Sequence, residues 1–281
     1  MIRPEKQKAI CDQSLTRPSW LWSFLPDFIH RRWEYLLLPL VLLLFLGLWE
    51  LIIRLGDYPA FILPSPGRVY DKLLGVLSDG LLWRHTSITL AEIFGGLTLG
   101  LATATTLGYL LAKSRTLERL ISPYLVASQS VPIVALAPLL VIWFGTGQLS
   151  KVLVCALTIF FPMLVNTMVG IRSVEPELVD LMRSLQATRW QIFTRLEIPS
   201  ALPVLLGGLK VGVTLSVIGA VVGEFVAADR GLGFLINVAR GNFDTPLMFV
   251  ALLTLVVIAL ILYLLVVLME NLLLRWRNWE K

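Results

Sequence analysis

Three ionisable side chains, Glu92, Lys210 and Glu224, lie inside otherwise apolar runs of this 281-residue chain. Such a charge is costly in an apolar run, so it is expected to pair with another, meet a passing ion or solute, or relay a proton. Lys210 and Glu224 stand ~21 Å apart along a helix rising ~1.5 Å per residue, too far to pair directly. For Lys210 three readings stand: snorkelling to an interface, a contact between helices, or the lining of a path. Glu50 and Glu270 fall near the ends of apolar runs, where an interface accounts for them. In "ASQSVPIVALAP", Gln129 and Ser130 precede Pro132 and Pro138, which remove helix hydrogen bonds and bend the chain. Thr158, Pro162 and Asn166 recur at every fourth position of the next run. Broken helices beside polar side chains are tolerated where they line a cavity. Gln129, Ser130 and Asn166, with Glu92, Lys210 and Glu224, are therefore the residues expected to line a path.

Catalysis finds no support in the sequence. His30 and His85 stand far apart, no Cys/His spacing suits a metal, and no nucleophile has a base nearby in sequence. Cys11 and Cys155 are too few for a disulfide framework and read as structural. No G-x-x-x-x-G-K-[ST] phosphate loop occurs. The chain is expected to be no enzyme and to hold neither cofactor nor metal.

The elements that position these residues follow from composition. Hydrophobic residues make up 57% of the chain and charged ones 15%, against about 25% charged in a soluble domain. Six apolar runs, near 36–54, 87–112, 123–144, 149–170, 199–226 and 247–268, read as membrane spans. Lipid leaves no partner for free backbone groups, so the spans should be helices. The expected fold is an all-α membrane protein of about six transmembrane helices. Its organisation is an N-terminal cytoplasmic or interfacial segment, 1–35, and a transmembrane domain, 36–281. Basic residues gather before the first run, around 113–119, in 172–195 and at the C-terminus, while fewer, Lys151 among them, fall to the outer side, which places both termini in the cytoplasm. Their scatter in short loops accounts for the net charge of +5 without nucleic acid. The first 35 residues do not read as a removable signal peptide.

"SWLWSFLPDFIHRRWEY" has the aromatics and arginines of a lipid-interface segment, kinked at Pro26. "FILPSPGRV" reads as an extended outer stretch. Gly96, Gly100, Ala104 and Gly108, and again Gly208, Gly212, Ser216 and Ala220, form small-residue stripes that let helices approach closely or face a path. Glu92 and Glu224 each lie four residues outward of a stripe. "GEFVAADRGLGFLIN" suggests an outer segment turned back at Gly231 and Gly233, or simply a tight turn.

One polar segment, "DLMRSLQATRWQIFTRLEIPSALP", interrupts the apolar pattern from Asp180 to Pro203. Leu178, Leu181, Met182 and Leu185 make one apolar helix face, Gln186-Ala187-Thr188 breaks it, and Ile192, Phe193 and Leu196 resume it. This predicts two short helices joined by a turn, with Arg183, Arg189 and Arg195 facing outward. Such a segment rests on lipid headgroups or docks a soluble partner as a helix in a groove.

The same segment resembles the EAA loop of permease subunits in bacterial ABC importers. Asp180-Leu181-Met182 stands at the E-A-A position, and Ile198-Pro199 and Leu202-Pro203 match the closing end. The family's glycine is Gln186 here, a departure that predicts a turn built differently. The resemblance implies a cytoplasmic coupling loop over about 172–198. In it Asp180, Arg183, Ser184, Leu185, Gln186, Ala187, Thr188 and Arg189 would meet an ATP-binding cassette subunit that binds ATP and Mg. It further implies a bacterial inner-membrane homodimer served by a soluble or lipid-anchored binding protein. "ILPSPGRV" and "SVPIVALAPLLVIWFGTG" resemble the branch holding nitrate, taurine, alkanesulfonate and bicarbonate permeases. "GGLKVGVTLSVIGAVVGEFVAADRGLGFLIN" is similar to its thiamine-pyrimidine-precursor and riboflavin members. The reading from a different class is a partner-independent secondary carrier.

Overall fold

A computed structural model describes residues 26–274, with side chains from 39 onward. The interfacial expectation for 19–25 and the C-terminal residues 275–281 lie outside the described residues. The chain divides into two compact units, 1–58 and 59–281. In the first, helix α1 runs Pro26–Gly56, and its Pro39–Gly56 stretch is long and apolar enough to cross a membrane.

The second unit holds α2 (Pro66–Ser78), α3 (Leu81–Lys113), α4 (Arg115–Gln129), α5 (Ile133–Phe144) and α6 (Gln148–Arg172). These are followed by α7 (Pro176–Ser184), α8 (Arg189–Ile192), a π turn (Phe193–Glu197), α9 (Ile198–Ala227), α10 (Leu232–Gly241) and α11 (Thr245–Leu273). With the Pro39–Gly56 stretch, α3, α6, α11 and the continuous Arg189–Ala227 rod make five helices suited to crossing a membrane. The α4–α5 pair is a sixth if taken as one span.

Three expectations are corrected. The run at 123–144 is no single helix: α4 and α5 meet at 94°. Pro132 offers no amide hydrogen there, and Ser130 and Val131 make only short turn bonds back to Ala127 and Ser128. The extended reading of "FILPSPGRV" ends at Ser65. That residue caps α2, accepting from the Arg68 N–H at 3.4 Å, with Pro66 at the first helical position. The second short helix of the polar segment does not stop before Pro199. It passes through the π turn into α9, where Pro199 follows the π turn directly and brings no amide hydrogen to the preceding turn.

Helix α6 is the axis of the unit, with α3 against one side and α9 against another. Both small-residue stripes close on it. A Cβ on Gly96 would strike Cys155, and one on Gly100 would stand 2.6 Å from Ile159 and 2.8 Å from the Ala156 carbonyl oxygen. One on Gly208 would stand 2.8 Å from Asn166 Cβ. Close packing is therefore what the stripes do. Ala104, Leu111, Met163 and Leu164 form a sealed core between α3 and α6.

Candidate functional site

The polar segment is built as a helix, a left-handed corner and a second helix. Pro176 starts α7, and Asp180, Arg183 and Ser184 lie in its later turns. Arg183 donates to Asp180 at 3.1 Å in an exposed pair worth little on its own. The corner is a Schellman motif: the Gln186 N–H reaches the Arg183 carbonyl (2.9 Å) and the Ala187 N–H reaches that of Met182 (3.0 Å). Gln186 holds φ +56°, the left-handed conformation that glycine supplies without strain. The corner is thus made in the glycine manner after all, correcting the expectation of a different turn. Thr188 and Gln191 then form a capping box, with bonds of 2.7 and 3.3 Å, that starts α8 at Arg189. Asp180, Arg183 through Gln186, Thr188 and Arg189 are exposed, and Ala187 is half-buried. Leu181, Leu185 and Trp190 add 55%, 70% and 69% exposed apolar surface beside them.

Behind this surface the segment is tied to the spans. Glu197, buried in the π turn, takes an ion pair from Lys113 and a 3.3 Å hydrogen bond from the Tyr109 hydroxyl, both on α3. Phe193 meets the Tyr109 ring edge-on at 5.1 Å. Arg172 at the end of α6 grips Glu118 of α4 with two bonds, 2.7 and 2.6 Å. Sequence reasoning passed over Glu197. Its signal was a lone carboxylate set between Leu196 and Ile198 on the apolar face.

The residues expected along a path separate into three places. Gln129 and Asn166 line one cavity of about 420 Å³, with Ser128, Thr158, Phe161 and Pro162, beside the α4–α5 break. Ser130 caps the end of α4 at that break, its hydroxyl donating to the Val126 carbonyl at 3.4 Å. Gln129 also lines a second cavity of about 270 Å³ that ends at Glu118 and Arg172. Lys210 pairs with Glu270 of α11, which is the helix-to-helix contact among its three readings.

Glu92 and Glu224 are brought together, sealed at 0% and 1% exposure. Lys151, which the basic-residue pattern had put in an outer loop, is instead buried in α6 with its Nζ 3.8 Å from Glu92. Glu224 accepts from the Thr89 hydroxyl at 2.6 Å and from the Gly233 N–H. The Leu232 N–H donates to Thr89 (2.9 Å) and the Gly231 N–H to His85 Nδ1 (3.0 Å). The carboxylate thus caps the N-terminus of α10, satisfying donors no backbone carbonyl could reach. Gly231, at φ +116°, turns the chain back, and a Cβ there would collide with the Glu224 carboxylate. This is the turned-back segment, and only a residue without a side chain fits it.

Among the described residues no group of three or more His, Cys, Asp or Glu could hold a metal. What the geometry offers is a membrane bundle with largely apolar cavities, dotted with polar side chains, at a broken helix and an exposed helix–corner–helix tied to the spans.

Known proteins agree with that description. Residues 96–277 match the family described as binding-protein-dependent transport system inner membrane component. The riboflavin transport system permease protein of Chloroflexus aurantiacus is 54% identical over 87% of this chain and 91% of its own length. The formylaminopyrimidine transport permease protein of Halalkalibacterium halodurans is 38% identical over 89% and 99%. The taurine transport system permease protein of Escherichia coli is 31% identical over 77% and 81%. A methionine ABC transporter solved in inward-facing conformations shares the fold, with a TM-score of 0.59 at 20% identity over 72% of this chain and 98% of that one. The chain belongs to the family of binding-protein-dependent transport system inner membrane components, and is a multi-pass permease subunit of an ABC importer.

Proposed function

We propose that two copies of this chain enclose a path that carries a riboflavin-like vitamin or a thiamine pyrimidine precursor inward. Separate ATP-hydrolysing subunits seat α7 and the Leu185–Arg189 corner, and a soluble or lipid-anchored binding protein delivers the solute on the opposite side. Both termini and the α7 corner then lie in the cytoplasm. The observation that carries the reading is the corner itself: a rigid, capped, left-handed turn that leaves Leu181, Leu185 and Trp190 uncovered. Apolar area of that kind beside arginines suits a groove on a partner, and its tie to α3 through Glu197 gives a partner's movement a route into the spans. The substrate reading is supported by the 54% and 38% identities to the riboflavin and formylaminopyrimidine permeases. The test is purification of the tagged chain from its native membrane in mild detergent, with mass spectrometry of what accompanies it. A P-loop ATPase present with wild type and lost when Ser184 to Arg189 is scrambled supports the reading. A chain that emerges alone and transports in liposomes without ATP removes it in favour of a carrier.

A further inference from the structure

The cavity at the α4–α5 break differs from the rest of the spans in what lines it. Its five polar and aromatic positions, Ser128, Gln129, Thr158, Phe161 and Asn166, include no ionisable side chain. The basic side chains of α6 and α9 are committed elsewhere: Lys151 to Glu92, Arg172 to Glu118 and Lys210 to Glu270. An anion entering this cavity would lose its hydration and find no cationic side chain among the residues that line it. A neutral molecule meets no such barrier.

The hydrogen-bonding capacity left over is also specific. The Thr158 hydroxyl gives its proton to the Val154 carbonyl (2.7 Å), and the Ser128 hydroxyl gives its own to that of Tyr124 (2.7 Å). Asn166 Nδ2 donates to the Pro162 carbonyl at 2.8 Å. The two hydroxyl donors are used and Asn166 keeps one N–H beside its free carbonyl oxygen, so the three side chains turn spare acceptor oxygens to a guest. Gln129 alone brings an uncommitted amide with both a donor and an acceptor. The acceptors are held in place from behind, since α9 presses on Asn166 at Gly208 and on Thr158 at Gly219, where added Cβ atoms would stand 2.8 and 2.9 Å away. Phe161 supplies a ring face for stacking. At about 420 Å³ the space is of small-molecule size.

We infer that this cavity is a binding site, on the permease chain itself, for a neutral heteroaromatic ring bearing N–H donors, stacked on Phe161 and read by Gln129, Asn166 and Thr158. The inference rests on the importer reading above and adds selectivity within the membrane to whatever the binding protein supplies. Gln129, shared with the cavity that ends at Glu118 and Arg172, is the residue a guest passes next.

The test uses the full complex in two forms. Riboflavin binding to the detergent-solubilised complex, without binding protein, is read from quenching of flavin fluorescence. Riboflavin and taurine uptake are read in liposomes with binding protein present. Expected are riboflavin binding and uptake by wild type, with affinity weakened about tenfold by Asn166→Ala and by Gln129→Leu, as for loss of one good hydrogen bond. Gln129 is exposed, so its substitution tests the site even if Asn166→Ala folds poorly. Riboflavin uptake with no binding in the absence of binding protein, or with unchanged affinity in Gln129→Leu, overturns the site and leaves the importer standing. Uptake of taurine in place of riboflavin overturns both the neutral-guest argument and the vitamin reading.

Discussion

Lys151 and Glu92 face each other across 3.8 Å with almost no solvent reaching either, while neither oxygen of Glu92 makes a hydrogen bond. Glu224 shares the same enclosure, but its oxygens are taken by Thr89 and Gly233. Two carboxyl groups and one amine therefore share a sealed space, and removing different members has unequal consequences. Lys151→Met leaves two buried carboxylates without a countercharge and is expected to cost on the order of 3–5 kcal/mol. Glu92→Gln leaves a balanced Lys151–Glu224 pair and should change stability by no more than about 1 kcal/mol. Thermal aggregation followed by fluorescence-detected size exclusion separates the two. Equal losses would mean that charge balance is not what holds this enclosure.

The ion pair between Lys113 and Glu197 lies where the polar segment joins the spans. Glu197→Ala removes the buried carboxylate that both Lys113 and Tyr109 reach. We expect solute moved per ATP hydrolysed to fall severalfold, with the complex still assembled. A ratio equal to wild type would reduce the pair to a structural fastening.

At Gln186 the backbone has a left-handed φ of +56°, which costs a non-glycine residue about 1 kcal/mol. Gln186→Gly should preserve transport and raise the midpoint of thermal unfolding slightly. Gln186→Val, β-branched and intolerant of that conformation, should cost about 2 kcal/mol or more at the corner and release the ATPase subunit. Retention of the ATPase in a pull-down of Gln186→Val would contradict the role given to the corner.

Charge reversal at Arg183 and Arg189 together should abolish uptake while leaving membrane insertion intact, since both side chains are exposed and neither supports the fold. Cell fractionation and an uptake assay on the same culture check both halves.

Gly100→Leu is expected to fail in a different manner. Its first carbon would already lie 2.8 Å from the Ala156 carbonyl oxygen, a backbone atom that cannot move aside. The α3–α6 seam should open at a cost of about 3 kcal/mol or more. The drop would appear in the yield of folded protein and not in the transport rate per folded complex.

Much of this was legible in the sequence because membrane helices announce themselves by length and apolar content. The small-residue stripes at Gly96–Gly108 and Gly208–Ala220 had a period that suits close packing between helices or a face toward a path, and the structure shows the packing. The break at Pro132 could be foreseen from chemistry, but its 94° angle could not, because a proline removes one bond without fixing how far the chain turns. Lys151 was lost to the loop pattern, since a lysine three residues into an apolar run looks the same whether it faces water or a buried carboxylate. Helix α2 was missed because its Ser65-Pro66 start was read for the prolines alone. Gln186 shows the converse case: a residue unfavourable for a conformation was read as evidence against it, whereas the surrounding helix bonds over-determine the corner.

The position of α6 between α3 and α9 also bears on how the chain is made. Lys151, Thr158 and Asn166 leave the ribosome well before Gly208, Gly219 and Glu224, against which or near which they finally rest. During that interval α6 sits beside α3, α4 and α5 without α9, and Glu92 is already there to receive Lys151. The Glu92–Lys151 contact is thus available as a holding point in biogenesis. It keeps an ammonium out of lipid until α9 arrives, and α10 can turn back onto Glu224 only afterward. The order of synthesis and the order of charge neutralisation run together, so a ribosome stalled between α6 and α9 would leave an intermediate without α9 in which Lys151 is already paired.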